Sequence, residues 1–98
     1  MQSREYTQEE VKEMFLEKAR SIAKYWAEQP NQSPLERTEG AIFSLPVILD
    51  GEDVDLPGFQ VFPNVGEEDK EYRISNGENW FPEDCDIGGS LHEHFYKN

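Results

Sequence analysis

Val11, Phe15, Ala19, Ile22 and Trp26 recur at steps of three and four residues, the spacing that lines side chains along one face of an α-helix. Just before them, Thr7-Gln8-Glu9-Glu10 has the form of a capping box. In such a box the threonine hydroxyl accepts from the Glu10 amide and the glutamate carboxylate accepts from the Thr7 amide. Tyr6 and Val11 stand at the two positions of a hydrophobic staple, and Pro30 stops the run. The pattern predicts a helix over residues 8–28.

Ser33-Pro34-Leu35-Glu36 repeats the start signal, with Pro34 at the first helical position, where its missing amide proton costs nothing. Leu35, Ile42, Leu45 and Leu49 extend an apolar face to Asp50-Gly51, where glycine suits a left-handed helix end. Pro46 interrupts this run, so the second helix is expected to kink or shorten there, with a strand at 47–49 as the alternative. Residues 56–63, with Phe59 and Val61 on one face and prolines near both ends, read as a short strand. Gly66 to Ser75 reads as a short acidic helix closed by Asn76-Gly77, its Glu67, Glu68 and Asp69 complementing the positive end of the helix dipole. A short strand is expected around Cys85 to Ile87. Ser90-Leu91-His92-Glu93 forms a third capping-box pattern, predicting a short C-terminal helix over 91–96 with Leu91 and Phe95 turned inward. The expected fold is α+β: a helix-rich single domain over residues 1–98, its long N-terminal helix and second helix packed on a small β element.

Charge changes this picture by dividing the chain. The formal net charge is −12; residues 1–49 carry 8 acidic and 6 basic side chains, a net of −2, whereas residues 50–98 carry 13 and 3, a net of −10. Such a field repels phosphate backbones and anionic lipid, and no run of Lys or Arg exists to release counterions, so direct nucleic-acid or membrane binding is not expected. A basic-surfaced protein suits the sign. Twelve aromatic residues supply apolar area for one core. Cys85 is the only cysteine, which excludes an intrachain disulfide. The polar opening of the chain lacks the apolar segment of a signal peptide, so cytoplasmic residence is the expectation.

Candidate chemistry gathers in the acidic half. His92 and His94 flank Glu93, and Asp84, Cys85 and Asp86 precede them, but residues two apart on a helix diverge by about 200° and no paired zinc spacing occurs. No metal and no cofactor is therefore expected. A lone intracellular cysteine is ordinarily a small buried hydrophobe, and neither a nucleophile elbow nor a phosphate-cradling loop is present, so catalysis has no positive sign. Asp50, Glu52, Asp53 and Asp55 form one acidic cluster, from which Asp53 and Asp55 are taken as candidates, and Glu67, Glu68, Asp69 and Glu71 another, from which Glu67 and Glu68 are taken. Tyr72, Asn79, Trp80 and Phe81 place aromatic surface among carboxylates, either as an anchor on the core or as an exposed binding hot spot. With His92 and His94 these are the candidate binding residues.

Asp69-Lys70-Glu71-Tyr72, Asn76-Gly77-Glu78-Asn79-Trp80 and Leu91-His92-Glu93-His94-Phe95-Tyr96 are similar to segments of a family of small acidic bacterial and prophage-type proteins with no established activity. The likeness runs from Arg4-Glu5-Tyr6-Thr7 onward; Pro46 departs from the uninterrupted helical segment of that family. It carries over no site residue, but it implies a phage context, hence a host cytoplasm and an inhibitor of a host defence protein. The leading expectation is a non-enzymatic binding protein acting through its acidic half. The alternatives are a domain that sequesters a small ligand, as part of a homo-oligomer, and a metal-dependent enzyme built on Asp84, Asp86, His92 and His94.

Overall fold

A computed structural model of the chain describes residues 3–96. Helix α1 spans Gln8–Ala27 and begins with both halves of the Thr7/Glu10 box, at 3.1 and 2.9 Å. Arg4 adds a two-pronged pair to the Glu10 carboxylate, and this pair, with the Thr7 amide, holds Glu10 down to about 2. Tyr6 stays largely exposed. Helix α2, Pro34–Leu49, starts with the equivalent Ser33/Glu36 box and continues through Pro46, so it neither shortens there nor gives way to the alternative strand at 47–49. Its end is closed by a Schellman motif: Glu52 and Gly51 donate backbone N–H bonds to the carbonyls of Val47 and Ile48, with Gly51 at φ 91°.

The α1–α2 hairpin packs through a line of α2 residues four apart. Gly40, Ser44 and Ile48 face α1; Trp26 lies over Gly40 and its Nε1 donates to the Ser44 hydroxyl at 3.0 Å. Phe15 meets Phe59 edge-on, with ring centroids 6.0 Å apart. On another side of α2, Phe43 is surrounded by His92, Phe95 and Tyr96, which dock a 3-10 turn, His92–His94.

Among the described residues there is no β-strand, which corrects the α+β expectation to an all-helical fold. The two segments read as strands do meet, but over one rung: Ile87 donates to the Val61 carbonyl at 2.8 Å. The ladder goes no further because the Asp86 carboxylate takes the Val61 amide, and Gly88 presses on the Phe59 carbonyl so closely that a Cβ would sit 2.5 Å from its oxygen. Pro57 and Pro63 contribute no donors.

Little of this chain is fully buried. Ile48 at 6% and Leu56 at 4% exposure are its only buried large apolar side chains among the described residues. The accessible surface is 8130 Å², where a folded monomer of 11.4 kDa leaves roughly 5,800 Å². The radius of gyration, 17.7 Å, likewise exceeds the ~13 Å expected at this length.

Candidate functional site

The acidic residues divide into those the fold consumes and those it leaves to solvent. Asp50 belongs to the first group. Its carboxylate is 1% exposed and accepts from the amides of Gly89, Leu91 and His92 at 3.0, 3.0 and 2.8 Å, and from the His92 imidazole Nδ1. Burial raises the Asp50 pKa, but the bonds from His92, Leu91 and Gly89 outweigh it and hold the group at about 2. The same contact raises His92, first through the hydrogen bond to Asp50 and further through the charges of Asp50, Glu93 and Glu52, against the opposing effect of burial. This carboxylate, from the end of α2, caps the 3-10 turn in place of Ser90. The predicted third capping box is thereby corrected, since the turn has no side-chain cap of its own.

Asp53 is also spent internally. Its Oδ2 accepts from the amides of Asp55 and Leu56, while Lys18 Nζ reaches Asp55 at 2.7 Å and Asp53 at 3.4 Å. His94 is exposed whereas His92 is turned onto Asp50 and Phe43. Asp86 is bonded to the Val61 and Gly88 amides. Among the described residues no three His, Cys, Asp or Glu side chains converge as metal ligands.

Most of the second group lies on residues 62–86, which leave the body and return to it at the Val61–Ile87 rung. This arm carries α3, Asp69–Ser75, which packs against no other helical element. Gly77, at φ 70°, ends α3 in another Schellman motif and reverses the chain, so Trp80 and Phe81 run back beside the helix. There Lys70 Nζ lies 5.2 Å from the Trp80 ring centre and the Arg73 guanidinium 5.0 Å from that of Phe81. Arg73 also bonds Asp69 at 2.9 Å and approaches Glu78 at 3.6 Å. Trp80 and Phe81 nevertheless remain 47% and 54% exposed, with Tyr72, Asn79, Glu67 and Glu68 also in solvent. Trp80 and Phe81 floor an open groove of about 450 Å³ that Glu83 and Asp84 border.

Comparison with protein-family models, curated proteins and solved structures finds no match to this chain. The site is therefore argued from its residues. Of the sequence candidates, the arm gathers Glu67, Glu68, Tyr72, Asn79, Trp80 and Phe81, while Asp53, Asp55, His92 and His94 lie on the body. Lys70 and Arg73 were not among the sequence candidates. Their signal is the Asn76-Gly77 reversal, which folds the following aromatics back onto the basic residues of the preceding helix.

Proposed function

We propose that this chain is a non-enzymatic binding protein whose arm, residues 62–86, docks on a basic surface of a partner protein. The observation that carries this reading is the exposure of Trp80 and Phe81 on an element that packs against no other helix. A folded protein does not ordinarily leave two large adjacent rings in solvent, and Trp is among the commonest anchors of protein interfaces. The arm holds 8 acidic and 2 basic residues, and both basic ones are already engaged with its rings. A partner's Lys or Arg can replace Lys70 over the Trp80 face while Glu83 and Asp84 receive its charge. The phage reading belongs here too: a decoy for a basic surface of a host defence protein is the use to which such an arm is suited, in the host cytoplasm. No helix among the described residues is long and apolar enough to cross a membrane.

The test is capture of a partner from host lysate followed by binding kinetics at two salt concentrations. Association is expected to slow as salt rises, because screening cuts the reach of the field to about 8 Å at physiological ionic strength. Glu67→Lys with Glu68→Lys should slow association, and Trp80→Ala should chiefly speed dissociation. A partner held equally by all of these variants at both salts would remove the arm from the interface.

A further inference from the structure

We propose that the α1–α2 hairpin is covered by a second copy of this chain, the two hairpins closing face to face into a four-helix arrangement. The inference does not rest on the docking role of the arm and leaves the arm free. Its first support is area. The chain exposes 8130 Å², an excess of roughly 2,300 Å² over a self-sufficient monomer of its mass; the arm accounts for part of it, and a standard interface requires only about 800 Å² of the remainder per partner. A core that buries only Ile48 and Leu56 as large apolar side chains among the described residues needs apolar cover from outside.

The second support is where that cover is missing. Ala23 and Ala27 lie four apart along one line of α1, and Ile42 and Leu49 lie seven apart along one line of α2. At the loop end this side forms an apolar groove of about 250 Å³ lined by Ala23, Ala27, Ala41 and Ile42. At the other end a groove of about 300 Å³ opens between Phe15, Leu49 and Phe59. Ala23, Ala27 and Ile42 are exposed in the single chain, and the two alanines allow another helix to come close.

Charge selects a second copy as the occupant. Residues 1–49 carry only −2, with 6 basic side chains among 8 acidic ones, so two such faces meet with little repulsion. Apolar surface then falls on apolar surface about a twofold axis. The arms, each with 8 acidic and 2 basic side chains, repel each other and are held apart, pointing outward.

Light scattering or native mass spectrometry on the full chain should give twice 11.4 kDa at tens of micromolar concentrations. Ala23→Glu and Ile42→Glu should each weaken self-association by at least about 100-fold while helical circular dichroism persists, because each buries an unpaired carboxylate only in the dimer. Should those variants unfold, spin labels decide the matter. In a Cys85→Ser background, labels at Ala27→Cys should lie close across the two copies, and labels at Asn79→Cys far apart. A wild-type chain monomeric throughout this range overturns the proposal, as do distant labels at position 27. So does a dimer lost with Trp80→Ala and kept with Ile42→Glu, which would assign the contact to the arm. Failure of partner binding in the arm variants bears on the docking role alone, because the dimer is expected to survive them.

Discussion

The amides that Asp50 holds lie 39, 41 and 42 residues further along the chain, and its removal leaves those donors without their acceptor. Asp50→Ala is expected to cost about 3 kcal/mol in denaturant unfolding, since several bonds to a buried charged group are lost together. The pair also makes stability depend on pH, with two signs. The pKa of Asp50 is lowered from 3.8 to about 2, so its contribution is present above about pH 4 and fades as pH falls toward 2. The pKa of His92 is raised from 6.5, so its contribution is full below that value and is lost as pH rises through the raised one. The joint effect is greatest between about pH 4 and 6.5. Unfolding measured across pH 3–9 should show decreasing stability above neutrality, and His92→Gln should flatten that limb. Asp50 was legible in the sequence as a helix end, but not as the cap of a distant turn. A local reading pairs the Ser90 hydroxyl with the Glu93 amide, whereas the turn is tied down by a distant carboxylate that accepts from Gly89, Leu91 and His92, a charged acceptor stronger than a hydroxyl.

Both long helices were legible because their signals are local. Periodicity and the Thr7 and Ser33 boxes lie within a few residues of the elements they start, and the boxes form as read. Thr7→Ala and Ser33→Ala should each lower stability by about 1 kcal/mol in equilibrium denaturation. How the helices meet depends on Gly40, which the pattern of apolar positions does not single out. A Cβ there would lie 2.5 Å from Trp26 ring carbons. Gly40→Ala would gain about 1 kcal/mol of helix propensity, but displacing a packed indole costs about 1–3 kcal/mol and breaks its bond to Ser44, so net destabilisation is expected in a thermal melt. The strand expectation failed for a reason also local in origin. Alternation at Phe59 and Val61 was real, yet a strand needs a partner ladder, and Asp86 occupies the amide that its second rung would use.

At the scale of the whole molecule, the acidic half of the chain is divided in structure: Asp50, Asp53 and Asp55 are spent on the body, whereas 8 acidic and 2 basic side chains leave it on the arm. That the arm leaves the body was not legible, because α3 and its capping look the same whether docked or free; only the lack of helix contacts distinguishes them. Replacing residues 62–85 by Gly-Gly, which keeps Asp86 on the Val61 and Gly88 amides, should leave the helical signal of α1 and α2 and the melting temperature nearly unchanged, since the ends to be joined are already bonded at Val61 and Ile87. A large loss of stability would instead show that the arm supports the hairpin. The single rung at the neck has a consequence for descent. An insertion, deletion or wholesale exchange between its two ends need not disturb the register of anything outside it, so the arm can be rewritten by recombination as a cassette. Substitutions would then accumulate at two independent tempos within one chain, rapid in the excursion and slow in the paired helices that carry it.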